Sequence, residues 1–332
     1  MSVFTTLSLD DVQYWLRDFD IGEIVALKGI AAGITNTNYF INTQNNRYVL
    51  TIFEKNDLQE LPYFVELMTH LSAHNVPCPT PIADKNGVAL HLLKGKPALM
   101  VSCLNGQDVA TPNLNQVKQV AKTLAQMHVA GLGFNRPSVN QRGQQWFSDT
   151  VQKVLPYLAN ATDAKLLTDE MAHLQSHNLV EIQNNGVSKI NSALPCGVVH
   201  GDLFRDNVLF DGDQLGGFID FYYACQDVLV YDVAIAVNEW CLHHNGSDLG
   251  TIDTIKVEAF LDAYQQIRPF TVEESQSWQA MLRRAALRFW LSRLHDFYFP
   301  EAGLLTHIKD PNHFKNILQQ HIAAKNAYTG NW

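Results

Sequence analysis

Val198-Val199-His200-Gly201-Asp202-Leu203-Phe204-Arg205-Asp206-Asn207-Val208-Leu209-Phe210 and, a little further on, Gly217-Phe218-Ile219-Asp220-Phe221 decide how this chain reads. Short apolar runs flank a polar loop and a second carboxylate closes the unit, so the segment is expected to be a strand–loop–strand hairpin. Asp202, Asn207 and Asp220 then stand as oxygen-bearing side chains at strand ends. Phosphoryl transfer needs that inventory: one carboxylate to accept a hydroxyl proton, and a carboxamide with a second carboxylate to hold magnesium on a nucleotide. A hairpin whose acidic loop is merely solvated is the alternative. A lone His-x-Asp would favour it, whereas the full spacing between apolar strands favours the kinase reading.

The chain has 332 residues, 46% hydrophobic and 17% charged, which suits an enzyme of two lobes with a sizeable core. Its net charge of −9 and the lack of any lysine or arginine run argue against nucleic acid or an anionic membrane as a partner. A polyanionic ligand must therefore be met by a metal or by a few placed cations. The start shows no basic region followed by an apolar block, and no apolar run is long enough to cross a bilayer, so a cytoplasmic protein is expected. Cys78, Cys103, Cys196, Cys225 and Cys241 are odd in number, scattered and without Cys-x-x-Cys spacing, which fits a reducing compartment.

Apolar periodicity predicts a helix over 8–19 with Ser8 as its cap, then strands over 24–31, 38–43 and 48–53. A helix over 61–74 must stop at Pro77-Cys78-Pro79-Thr80-Pro81, and strands over 88–92 and 97–104 form a hairpin about Lys94-Gly95-Lys96. After Asn105-Gly106 the pattern becomes helical, over 114–130, 146–158, 164–184, 231–243, 257–267, 272–298 and 313–325. Thr271 with Glu274 forms a capping box for the long helix. The glycine-punctuated stretch 131–143 is the expected mobile loop. The fold class is α+β, with a small antiparallel-sheet lobe carrying one helix (1–101), a hinge (102–106) and a larger, mostly helical lobe (107–332) holding the catalytic hairpin and the acceptor site.

Ala32-Gly33-Ile34-Thr35-Asn36 lies between two expected strands, where Gly33 lets backbone approach a phosphate and Thr35 and Asn36 supply donors. Together with Leu124-Ala125-Gln126-Met127-His128, His200 to Asn207, Ile219-Asp220-Phe221-Tyr222-Tyr223-Ala224 and Tyr231-Asp232-Val233-Ala234, this loop carries a resemblance. The chain resembles the aminoglycoside phosphotransferase and choline kinase superfamily, of bilobal protein-kinase-like fold. Asn238-Glu239-Trp240-Cys241 and the segment from Leu287 to Leu294 are similar to its homoserine kinase branch.

That resemblance implies ATP and Mg2+ as cofactors, Asp202 as catalytic base, and Asn207 and Asp220 as magnesium ligands. It implies nucleotide contacts from Gly33, Ile34, Thr35 and Asn36, from Thr51, and from Ser102 and Leu104 of the hinge. His200 would brace the catalytic loop and Asp232 would accept its backbone amides, while His128 reads as a packed helix residue. The superfamily's strand lysine or arginine is replaced by Thr51, and Lys55 lies roughly 13 Å further along an extended strand. An amino-acid acceptor such as L-homoserine needs cations for its carboxylate, with Arg205, Arg288 and Arg293 as candidates, and acids or aromatics for its ammonium, with Tyr222, Glu239 and Trp240. The implied activity is phosphorylation of the homoserine side-chain hydroxyl, a step of threonine biosynthesis, by a monomer. Sibling acceptors (choline, an amino sugar, an aminoglycoside, methylthioribose) and a catalytically silent nucleotide-binding protein are the alternatives.

Overall fold

In the computed structural model, residues 4–30, 36–55, 58–177, 193–300 and 309–324 are described. They divide into two compact units, one running through Asn105 and including Gly217–Ile219, the other holding Gly106–Gly216 and the chain from Asp220 onward.

The first unit is built on a five-stranded antiparallel sheet in the order β1-β2-β3-β5-β4, with β1 Ile24–Ile30, β2 Thr37–Thr43, β3 Arg47–Ile52, β4 Leu90–Leu93 and β5 Lys96–Ser102. Alternation fixes its faces. Tyr39 and Ile41, Tyr48, Leu50 and Ile52, and Ala98 and Met100 pack on one side against Val12 and Leu16 from helix α1 (Leu9–Trp15) and the turn after it. Asn38, Phe40, Val49, Thr51, Leu99 and Val101 occupy the opposite face by register. The β4–β5 turn is the expected hairpin: Lys94 and Gly95 both have positive φ (53° and 78°), as a two-residue turn matched to strand twist requires. Helix α2 (Leu61–Ala73) buries Leu61, Phe64, Leu67, Met68 and Leu71.

The second unit is helical, with α3 Leu114–Gly131, α4 Gln144–Val154, α5 Ala161–Ser176, α6 Leu229–Trp240, α7 Thr254–Gln265, α8 Val272–Tyr298 and α9 Asn312–Ala323. Helix α6 is buried on every side, as its nearly uniform apolar sequence demands. Helix α8 keeps the predicted bounds because Thr271 and Glu274 cap it reciprocally. The helix expected over 164–184 runs from Ala161 to Ser176, with His177 as its C-cap, and 178–184 of the expected span lie outside the described residues.

One expectation is corrected. The segment around Asp202 is not a single hairpin: β6 (Cys196–Val199) pairs with β9 (Cys225–Val228), and β7 (Val208–Asp211) pairs with β8 (Gln214–Phe218). Within the glycine-punctuated stretch 131–143, Ser138 O accepts from the Gln226 amide (2.9 Å) and Asn140 Nδ2 donates to Asp227 Oδ2 (2.6 Å).

Candidate active site

Strand β6 delivers the chain to a loop that is held at several points. The amides of His200 and Gly201 donate to the two carboxylate oxygens of Asp232 on α6, at 2.7 and 2.9 Å. Gly201 is needed here, since its φ is +75° and a Cβ would lie 2.9 Å from Tyr223 O. The indole N–H of Trp240 donates to Leu203 O (3.0 Å). Asn207 closes the loop on itself, with Nδ2 donating to Asp202 O at 2.8 Å and to Asp202 Oδ2 at 3.3 Å.

Asp232 is fully buried and also accepts from His128 Nε2 at 3.1 Å, and His128 Nδ1 meets Tyr264 OH at 2.7 Å. Burial works to raise the Asp232 pKa. The His128 hydrogen bond, the neighbouring histidines and the His200 amide overcome it, leaving the carboxyl below its ordinary value. Burial keeps His128 neutral by lowering its pKa. A neutral ring beside an ionised carboxylate must donate from Nε2 and accept at Nδ1 from the Tyr264 hydroxyl. That hydroxyl accepts in turn from Arg268 Nη1 (3.1 Å), whose Nη2 donates to Glu274 Oε1 (2.8 Å). A continuous, largely buried chain thus links the loop after β6 to the cap of α8. One sign of it is visible in the sequence, a histidine on the apolar stripe of α3.

Asp202 is partly open, and Arg288 Nη1 stands 3.5 Å from its Oδ1. Burial raises the Asp202 pKa, opposed by the charges of Arg288 and His200. Asp220 has a left-handed backbone (φ 63°, ψ 58°) and remains solvent-accessible. Protein packed on its inner side, reinforced by Asp202 and Asp206, pushes its carboxyl up to about 7. Lys309 stands 3.3 Å from Asp206 and Arg288 faces Asp202, but no basic side chain forms an ion pair with Asp220 among the described residues. Asp220, a carboxylate crowded by the like charges of Asp202 and Asp206, and the Asn207 carboxamide are oxygen donors of the kind a hard cation such as Mg2+ takes, completed by ligand oxygens.

The acceptor candidates separate. Arg205 Nε and Glu239 Oε1 pair with each other at 2.7 Å, and Arg205 Nη1 also donates to Ala110 O. Arg293 donates to Asp310 O (2.9 Å) and lies over the Phe314 ring. Trp240 is fully buried and holds the loop's backbone, so its assignment to an ammonium group is withdrawn. Tyr222 is half-buried in the turn after Asp220. Arg288 remains beside Asp202.

In the first unit, Gly33, Ile34 and Thr35 lie outside the described residues, and Asn36 Oδ1 accepts from the Glu54 amide (3.4 Å). Thr51 is buried with its hydroxyl donating to Asn38 Oδ1 at 2.7 Å. Strand β3 ends at Ile52, so Lys55 is not in strand register with Thr51. Ser102 Oγ accepts from the Thr80 amide (2.8 Å), and Leu104 is half-buried two residues on.

The fold and this loop define a phosphotransferase of kinase-like architecture, and the chain belongs to the phosphotransferase enzyme family, whose model matches residues 26–270. Its similarity is narrower than the family. It is 50% identical to the homoserine kinase of Methylobacillus flagellatus, over 100% of this chain and 99% of that protein. It is 43% identical to the homoserine kinase of Neisseria meningitidis, over 96% of this chain and 99% of that protein. Among solved structures it is similar in fold to an amicoumacin kinase in complex with AMP-PNP, Ca2+ and Ami (TM-score 0.67, 13% identity, 97% of this chain and 94% of that one). A microcompartment-associated aminopropanol kinase is similar in the same way (TM-score 0.62, 15% identity, 96% and 95%).

Proposed function

We propose that this protein transfers the γ-phosphoryl group of ATP to the side-chain hydroxyl of L-homoserine. The observation that carries the reading is the catalytic loop, in which Asn207 orients the Asp202 carboxylate and Asp220 stands ready for a metal, in a chain half-identical end to end to a homoserine kinase. Asp202 accepts the proton of the acceptor hydroxyl as its oxygen attacks phosphorus, and ADP leaves. Asn207 and Asp220 would hold Mg2+, which would supply neutralisation of the phosphate charge. Arg288 keeps a positive charge beside Asp202, which favours the ionised base. Asp232, through the His200 and Gly201 amides, fixes where that base points.

A coupled ADP-release assay on the purified protein tests this, with L-homoserine, L-serine, L-threonine, choline, 3-aminopropan-1-ol and methylthioribose as acceptors. The expected result is kcat/KM highest for L-homoserine. A higher kcat/KM on any other acceptor, or ADP release that no acceptor stimulates, overturns it.

A further inference from the structure

On the Tyr223 ring that Arg288 also approaches stands a second guanidinium, Arg142, that the loop around Asp202 does not explain. Arg142 precedes α4 and lies 4.8 Å from the Trp146 ring centroid and 6.0 Å from that of Tyr223. Arg288 lies 5.7 Å from the same Tyr223 ring. Both guanidinium groups lie against aromatic rings, Arg288 3.7 Å from that of Phe289, but neither makes a short hydrogen bond to a carboxylate among the described residues. Arg288 is 4% exposed, and its ion pair to Asp202 at 3.5 Å is longer than a good charge-assisted hydrogen bond. Arg142 is half-buried and has no carboxylate partner among the described residues. The adjoining Gln144 Oε1 is buried and accepts no hydrogen bond. Left unmade, such contacts are costly, so each points to a ligand that makes them.

The position of Arg142 is built. Its amide donates to Asn140 Oδ1 (2.7 Å), Asn140 Nδ2 donates to Asp227 Oδ2 (2.6 Å), and buried Arg284 holds both Asp227 oxygens at 3.0 and 3.3 Å. Helix α4 begins directly after it and its N-cap, Gly143, offers no side-chain acceptor, so the first-turn amides add positive field at the same place.

We propose that Arg142 determines acceptor specificity: with Arg288, beside the Tyr223 ring, it binds the α-carboxylate of a zwitterionic amino acid whose ammonium group donates to Gln144 Oε1. This rests on the functional reading above and deepens it. In an amino acid with a γ-hydroxyl, the hydroxyl oxygen and the carboxylate are separated by about 5 Å of extended chain. A hydroxyl against Asp202 therefore brings its carboxylate past Arg288 to Tyr223 and toward Arg142. The set distinguishes such an acceptor from an amino alcohol, which would leave both guanidinium groups unanswered.

The test compares kcat/KM for L-homoserine and for 3-aminopropan-1-ol, the same chain without the carboxylate, in the wild type, Arg142→Met, Arg142→Lys and Gln144→Met. Melting temperature and the ATP Michaelis constant are measured alongside. Arg142→Met is expected to lower kcat/KM for L-homoserine roughly 10- to 100-fold, mainly through KM, the scale of a lost charge-assisted contact. 3-Aminopropan-1-ol and ATP should be unaffected, and Arg142→Lys should recover part of the loss. Gln144→Met should weaken both acceptors, since both carry the ammonium. A loss under about 3-fold on L-homoserine, or an equal loss on both acceptors, overturns the assignment of Arg142. A wild type inert toward L-homoserine sinks the functional reading itself, and this inference with it.

Discussion

Replacing His128 by phenylalanine keeps the volume of the buried ring and deletes both of its hydrogen bonds, which makes it a direct probe of the chain from Asp232 to Glu274. Asp232 would keep the His200 and Gly201 amides but lose the donor at 3.1 Å, and Tyr264 OH would lose its acceptor at 2.7 Å while still receiving Arg268. A hydrogen bond to an ionised group contributes about 1.5–3 kcal/mol, and a neutral one about 0.5–1.5 kcal/mol. Their sum, roughly 2–4.5 kcal/mol, overlaps the range for breaking a buried charged pair on one side. It is also a large share of the stability of a typical protein. Urea unfolding at neutral pH measures it, and a Tyr264→Phe partner closes a double-mutant cycle in which the pair should couple by at least about 0.5 kcal/mol. Activity follows, because Asp232 positions the loop: kcat should drop by about an order of magnitude or more with the ATP Michaelis constant nearly unchanged. A stability loss below about 1 kcal/mol, or additive effects of the two variants, would refute the reading of this chain as a single buried network.

Asp202→Asn preserves shape and the contact to Asn207 but cannot take a proton, so turnover should fall by about two to four orders of magnitude with ATP affinity little changed. Retention of a third of the activity would remove Asp202 as the base. Asp220→Asn, chosen because asparagine tolerates the left-handed backbone, should raise the magnesium concentration needed for half-maximal rate, and an unchanged titration would dismiss its ligand role. His321 is buried, and burial pushes its pKa down to about 3, so the folded state holds it neutral while the unfolded state protonates it below about 6.5. The unfolded state thus binds the extra proton, and this residue's contribution is complete above about 6.5 and is lost as pH falls from there toward about 3. His321→Gln should therefore gain on the wild type in urea midpoint across that window, and a constant difference between them would contradict it.

Much of the fold was legible because its signals are local. Thr271 and Glu274 announce the start of α8, Lys94-Gly95 announces a hairpin, and alternation in β3 separates the buried core face from the other. Strand β9 was missed because Cys225-Gln226-Asp227-Val228 is short and lacks alternation; it is a strand because β6 is its partner. Among the site candidates, spacing alone led to Asp202 and Asn207, which the loop places 3.3 Å apart. Spacing could not reveal that Arg205 and Glu239 satisfy each other, or that Trp240 faces inward, because direction on a wholly buried helix is set by what packs around it. Arg142 carried no local signal at all. Its meaning lies in two rings and in a second arginine that is remote in sequence.

The left-handed backbone at Asp220 has a consequence for any effort to make this protein durable. A non-glycine residue held there costs about 1–2 kcal/mol, and the Asp202 and Asp206 carboxylates add repulsion. Glycine at this position relieves both at once, so an Asp220→Gly protein should outlast the wild type on heating while transferring nothing. A heat-challenge library scored by surviving soluble protein would enrich replacements at position 220, and the same library scored by turnover would reject them.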